Sequence, residues 1–120
     1  MLTIPDRVDA MNRLGRAMAD PTRSRILLAL LEHPGYPAEL ARALDITRTN
    51  VSNHLTCLRG CGIVTATPEG RKTRYELADP HLAAAFRALV EVTLNVDERV
   101  PCIDPTCSVP GCETQTGTNA

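Results

Sequence analysis

Aromatic residues are almost absent from this chain, and their scarcity constrains its core. The 120 residues include one Phe, two Tyr and no Trp. The interior must therefore be built from Leu, Ile, Val, Ala and Met, which suits packed helices. A chain of this length is expected to form one domain, and a small helical domain often buries further apolar surface by dimerising.

Several classes of protein are not expected from the sequence. The longest apolar run, residues 26–31, is far shorter than the roughly 20 residues that cross a bilayer. The N-terminus has no basic region followed by an apolar stretch, so no signal peptide and a cytoplasmic location are expected. Reducing conditions there favour ligand, redox or packing roles for the five cysteines over disulfides. Paired carboxylates, a nucleophile motif and a phosphate-binding glycine loop are missing, so neither an enzyme nor an organic cofactor is expected.

Apolar periodicity predicts three helices in the first half of the chain. Residues 6–18 form the first, with apolar positions 8, 11, 14, 17 and 18 on one side. The second begins at Pro21, behind the potential cap Asp20, and stops at Pro34. Its apolar residues surround the axis almost completely, which predicts a central buried helix. A short third helix begins at Pro37.

A helix-turn-helix is predicted next. Asp45 and Ile46 make a turn, and Thr47 can cap a helix that runs from Arg48 to about Gly60. A short helix, a tight turn and a second helix with polar first turns are typical of this DNA-binding motif.

The remaining pattern completes a winged helix-turn-helix, mainly α with a small β-hairpin wing. Residues 63–67 and 73–77 are rich in β-branched side chains and flank the segment 68–71, which predicts a β-hairpin with a basic tip. Asp79 and Pro80 open a last helix predicted to reach about Val96. Its apolar stripe (82, 86, 89, 93 and 96) suits core or dimer packing.

Charge distribution favours DNA as the partner, although the net charge is only −1. Residues 42–74 hold six basic residues against two acids, whereas residues 97–120 hold four acids against one Arg. The predicted DNA-binding residues are Arg48, Thr49, Asn50, Ser52, Asn53, His54, Arg71, Lys72 and Arg74. For His54, a hydrogen bond within the domain is equally compatible with the sequence.

Two cysteines lie four residues apart on the predicted recognition helix. Cys57 and Cys61 would have Cβ atoms about 5–6 Å apart, too far for an unstrained disulfide but suitable for sharing a metal ion. A third ligand could be Cys102, the first thiol after the last helix. The alternatives are a buried role for Cys57 and a plain helix-end role for Cys61. Cys107 and Cys112 are either accessory ligands or spare thiols of a tail.

Three segments in the right order resemble the ArsR–SmtB family of metal-sensing repressors. They are "LGRAMADPTRSRILLAL", "RTNVSNHLTCLRGCGIV" and "EGRKTRYEL". The resemblance implies a homodimer that binds double-stranded operator DNA without metal and releases it on binding metal. It is strongest to cadmium and lead sensors, which implies a site made by Cys57, Cys61 and Cys102, with the tail thiol from the partner subunit. Cd(II) or Pb(II) would be the inducer and Zn(II) a weaker one. Residues 1–97 would form the DNA-binding and dimerisation domain, and residues 98–120 a flexible tail.

Two other metal sites of the family are not expected here. The stretch 33–37 lacks the thiols that arsenic sensors carry at the third helix. Asp79 and His81 match half of a zinc site, but its other half falls on Val92 and Asn95. Asp79 is therefore predicted to cap the last helix, and His81 to lie at the surface or at an interface. Two alternative functions stay open: a repressor that responds to thiol oxidation or arsenite, and a metal-buffering protein that uses its cysteine tail.

Overall fold

The computed structural model describes residues 3–103 and 105–107, and in this part the chain forms five helices and one hairpin. The elements are α1 (Ile4–Met18), α2 (Pro21–Glu32), α3 (Pro37–Leu44), α4 (Arg48–Gly60), β1 (Val64–Glu69), β2 (Lys72–Leu77) and α5 (Pro80–Leu89). This order confirms the predicted winged helix-turn-helix, with α3 and α4 as the motif and β1–β2 as the wing. No helix in these ranges is long and apolar enough to cross a bilayer.

Side-chain caps fix where the helices begin. Asp20 accepts the backbone N–H of Arg23 at 2.9 Å at the start of α2. Thr47 accepts that of Asn50 at 3.1 Å at the start of α4. Each cap satisfies a donor that has no partner within its helix, and both were predicted. Helix α1 begins two residues earlier than predicted, because Thr3 and the carboxylate of Asp6 form a reciprocal capping box.

The core lies where α2 meets the recognition helix α4 and the base of the wing. Its fully buried side chains are Ile26, Val51, Leu55, Leu58 and Val64. Three of these belong to α4, so one face of that helix is anchored in the core and the opposite face is left for solvent. Helix α2 is less enclosed than predicted, since Leu28 is 46% exposed.

The last helix is shorter than predicted. It ends at Leu89, with Val90 as its cap residue, and does not reach Val96. Val92, Leu94 and Val96 are all exposed, so no packing within the described chain offsets the modest helix propensity of β-branched residues. Of the predicted stripe, Phe86 is buried and Leu82 is half-buried.

The wing is a two-stranded antiparallel hairpin whose strands pair from Val64–Leu77 to Glu69–Lys72. Gly70 and Arg71 form its turn, and Gly70 adopts the positive φ of 64° that such tight turns need. Strand β1 ends closer to the turn than predicted, and strand β2 begins closer to it. Backbone bonds of 2.9 and 2.8 Å between Gly35 and Tyr75 fasten the wing to the loop before α3.

The recognition helix ends in a Schellman motif. The N–H of Ile63 donates to Leu58 O at 3.0 Å, and the N–H of Gly62 donates to Arg59 O at 3.1 Å. Gly62 carries a φ of 83°, the left-handed conformation on which this motif depends. The chain thereby leaves α4 directly after Cys61 and enters the wing.

Candidate nucleic-acid interface and thiol site

The recognition helix presents a polar face to solvent. Arg48, Thr49, Asn50 and Asn53 are exposed, and Ser52 is half-buried. All five carry groups that can bond phosphates or base edges. The burial of Val51, Leu55 and Leu58 holds these side chains on a rigid element, so this face has the geometry to enter a major groove.

His54 points toward the start of α2. Its Nε2 atom lies 4.0 Å from Oδ2 of Asp20, and the side chain is only 20% exposed. The pKa of Asp20 is lowered, first by the backbone N–H of Arg23 and more weakly by the charges of Arg23 and His54. Asp20 is therefore the nearest polar partner of His54 within the domain, at a distance longer than a hydrogen bond. None of the contacts found for His54 directs it toward a base.

The three wing cations differ in their availability. Arg71 lies in the turn and Lys72 directly follows it, and both are exposed. Arg74 is half-buried and lies 3.5 Å from both Glu69 and Glu76. Its charge is therefore largely balanced within the wing, whereas Arg71 and Lys72 remain available for phosphate.

A polar cleft of about 430 Å³ lies between α3, the start of α4 and the wing. Besides Arg48, Ser52, Arg71 and Lys72, it is lined by Tyr36 and Arg42, which were not among the predicted DNA-binding residues. Arg42 belongs to the basic segment 42–74, but the sequence does not show that its position on α3 lies near the wing. Tyr36 gave no sequence signal, since its neighbours come from the wing, more than 30 residues later.

The two thiols of the recognition helix lie one turn apart at its end. The backbone N–H of Cys61 donates to the carbonyl oxygen of Cys57 at 3.0 Å. Cys57 is exposed, whereas Cys61 is half-buried against the core. Both sulfurs are reduced thiols in this arrangement.

The described part of the tail does not complete a metal site. Cys102 and Cys107 are half-buried, and the predicted accessory ligand Cys112 lies outside the described residues. Within residues 3–103 and 105–107, no group of three or more His, Cys, Asp and Glu side chains is arranged to hold a metal ion. Cys102 therefore does not join Cys57 and Cys61 within a single chain.

The Asp79–His81 pair behaves as predicted. Asp79 caps α5 by accepting the backbone N–H of His81 at 2.6 Å, and its pKa is lowered by this bond and by a second bond to the His81 ring. The His81 side chain is 96% exposed. This arrangement is that of a helix cap at the surface.

A recognition helix with a polar outer face, seated beside a basic wing, defines a winged helix-turn-helix transcriptional regulator. Residues 20–66 match the family model of bacterial regulatory proteins of the arsR family. The chain is 61% identical over 103 residues to the HTH-type transcriptional regulator CmtR of Mycobacterium tuberculosis, covering 86% of this chain and 87% of that protein. The chain therefore belongs to the ArsR family. Its relatives are transcriptional regulators, which confirms that it is not an enzyme.

Solved structures of related proteins share the fold. The NMR structure of the cadmium sensor CmtR from M. tuberculosis superposes with a TM-score of 0.62 at 62% identity, covering 78% of this chain and 98% of that one. The homodimeric winged helix-turn-helix domain of a possible ArsR-family regulator from Mycobacterium bovis gives a TM-score of 0.64 at 32% identity, covering 70% and 77%.

Proposed function

We propose that this protein is a metal-responsive repressor that binds operator DNA as an apo dimer and releases it on binding Cd(II) or Pb(II). One observation carries the proposal. Two thiols lie one turn apart at the end of the recognition helix, in a chain that is 62% identical to a cadmium sensor. Zn(II) is expected to act more weakly. The cytoplasm, where thiols stay reduced, is the proposed location.

The donor chemistry fits a soft metal ion. Cys57 is exposed and can become a ligand without disturbing the core, while half-buried Cys61 holds its sulfur in place. Thiolates favour soft ions over Mg(II), Ca(II) or Mn(II). Because a thiol must lose its proton to bind metal, metal affinity should rise with pH.

The third ligand is proposed to be Cys102 from the tail of the partner subunit. No third ligand lies beside Cys57 and Cys61 in the described part of one chain, which favours a donor from elsewhere. Residues 98–120 would thus act as a tail attached to a DNA-binding and dimerisation domain, residues 1–97. Cys107 and Cys112 are accessory ligands at most.

Metal and DNA would compete through the recognition helix. Drawing a tail onto Cys57 and Cys61 constrains the end of α4, whose start is proposed to contact DNA through Arg48, Thr49 and Asn50. Such coupling is typically about 1–3 kcal/mol and is reciprocal, so DNA weakens metal binding by the same factor. Arg71 and Lys72 would bind phosphates, and the ion-paired Arg74 would contribute less.

A second copy of the chain is proposed to cover an apolar surface on α1, α2 and α5. Leu28, Leu89 and Val90 are exposed beside one another, and Val8 and Met11 are exposed on α1. A hollow of about 170 Å³ between Met18, Leu27 and Phe86 continues this surface. The homodimeric state of the M. bovis domain supports a dimer here. Two recognition helices would then reach half-sites about 34 Å apart on a near-palindromic operator.

The decisive experiment measures DNA and metal binding on the same reduced protein. Gel shifts with the promoter fragment of its own gene should show binding that Cd(II) reverses. Thiolate-to-metal absorption should scale with three sulfurs and fall to two in Cys102→Ser. Release by peroxide but not by Cd(II) would favour a redox sensor, and release by arsenite alone an arsenic sensor. Metal binding without specific DNA binding would indicate a metal-buffering protein.

A further inference from the structure

We propose that the cleft between α3, α4 and the wing binds a phosphodiester group of the DNA backbone, with Arg42 as a phosphate ligand. This inference rests on the DNA binding in the proposed function and adds to it a contact from outside the recognition helix and the wing tip. The cleft holds about 430 Å³ and brings four cations from three elements to one depression: Arg42, Arg48, Arg71 and Lys72.

The charges of the cleft are left available to a ligand. All four cations are exposed, and in residues 3–103 none of them forms a salt bridge. Glu39 is the one acid among the residues that line the cleft. The surplus of positive charge therefore suits a singly charged phosphodiester approaching from solvent.

Two contacts that involve none of the four cations hold the walls of the cleft together. Gly35 is paired with Tyr75 of β2, and the Tyr36 hydroxyl donates to Oε1 of Glu69 at 2.5 Å. Half-buried Ser52 and Thr73 add hydroxyl groups to opposite walls. A backbone strand can thus be held between the recognition helix and the wing, which fixes the register of the helix in the groove.

The test compares Arg42→Gln with Arg16→Gln, a matched loss of one exposed Arg from α1. Affinity for the promoter duplex and for a random duplex is measured by fluorescence anisotropy across a salt series. Each lost phosphate contact should reduce the slope of log K against log salt by about 0.9, or about 1.8 per dimer. At 0.15 M salt, a slope that is smaller by about 1.8 corresponds to roughly thirty-fold weaker binding by the dimer. Arg42→Lys should largely restore both values, since it restores the charge.

The outcomes separate this proposal from the function on which it rests. If Arg42→Gln binds both duplexes as Arg16→Gln does, with equal unfolding midpoints, the cleft is not a phosphate site. If the wild-type protein does not prefer the promoter duplex, or if Cd(II) does not release it, the proposed function fails. The salt dependence of Arg42→Gln binding to the random duplex still tests the phosphate site in that case. Amide chemical shifts that saturate with submillimolar inorganic phosphate alone would identify a free anion as the ligand and overturn the DNA assignment.

Discussion

The hydroxyl of Tyr36 donates a hydrogen bond of 2.5 Å to the Glu69 carboxylate, across 33 residues of sequence. The bond joins the residue before α3 to the end of β1, so it ties the helix-turn-helix to the wing. Lys72 Nζ lies 5.2 Å from the centroid of the same ring, within range of a cation–π contact. Because the Glu69 carboxylate accepts this hydrogen bond, the pKa of Tyr36 is raised, so the phenol keeps its proton throughout the neutral range.

Removing this hydroxyl should weaken DNA binding more than it weakens the fold. Tyr36→Phe keeps the ring under Lys72 but removes the phenolic donor to Oε1 of Glu69, which then keeps only its ion pair with Arg74 inside the wing. The wing is therefore expected to move more freely relative to α4. We expect several-fold weaker promoter binding with an almost unchanged unfolding midpoint, because the bond lies at the surface. Tyr75→Phe, in which no hydroxyl bond is lost, is the control. Equal promoter affinity in Tyr36→Phe and wild type would show that the wing is held by its backbone bonds alone.

The two recognition-helix thiols should be separable from DNA binding. Cys57→Ser and Cys61→Ser are each expected to bind the promoter and to lose release by Cd(II), because each removes one sulfur from the site. Cys57 is exposed, so its replacement should change the free energy of unfolding by less than about 0.5 kcal/mol. Cys61 packs against the core, and its replacement should cost about 1 kcal/mol. A Cys57→Ser/Cys61→Ser double variant that Cd(II) still releases from the promoter would exclude these ligands.

A charge on the outer face of α1 should dissociate the proposed dimer. Met11 is 72% exposed in the single chain, and Met11→Glu would place a carboxylate within the apolar surface. Sedimentation equilibrium should then show a monomer with near-native helix content, and affinity for the two-half-site operator should fall sharply. Arg16→Glu is the control, since Arg16 is also exposed on α1 but carries no apolar surface. A dimer that persists in Met11→Glu would place the interface elsewhere.

The Asp20 cap should contribute stability that depends on pH. Its pKa is lowered, first by the backbone N–H of Arg23. A carboxyl group with a lowered folded-state pKa stabilises the fold fully above its unfolded value of about 3.9, and this contribution is lost as the pH falls through the folded value. Asp20→Ala should therefore cost about 1 kcal/mol at pH 7, and the difference should shrink below about pH 4. Urea unfolding at both pH values measures this. The control Asp9→Ala, which removes only a surface pair, should cost less than about 0.5 kcal/mol at either pH.

The sequence predicted those features that depend on residues close together in the chain. Asp20 and Thr47 correctly predicted where α2 and α4 begin, because a helix cap bonds to a backbone N–H only three residues away. The cleft depends on Tyr36 and Arg42 meeting residues near Lys72, and such long-range proximity leaves no local pattern. The prediction that the last helix reaches Val96 is wrong. The apolar spacing fits a helix, but in the described chain nothing packs against the residues after Val90. Pairing of Arg74 with Glu69 and Glu76 likewise depends on hairpin register.

Two glycines that flank Cys61 should respond in opposite ways to the same substitution. Apart from its chain neighbours and nearby helix backbone, a Cβ added at Gly60 or at Gly62 would meet no atom of the described residues within 4 Å, so steric packing does not distinguish the two positions. Gly60 is the last residue of α4, whereas Gly62 has a φ of 83°. Gly60→Ala should stabilise the protein by about 0.5–1 kcal/mol. Gly62→Ala should destabilise it by about 1–2 kcal/mol, since an L-residue is disfavoured in the left-handed region.

Thermal and urea unfolding of both variants measure this pair. A second readout follows from the position of Cys61 between them. Strain at residue 62 loosens the bonds that Ile63 and Gly62 make to the end of α4, so Cd(II) affinity should fall in Gly62→Ala and be retained in Gly60→Ala. Equal Cd(II) affinity in the two variants, despite different stabilities, would mean that the thiol pair does not depend on the Schellman motif for its geometry.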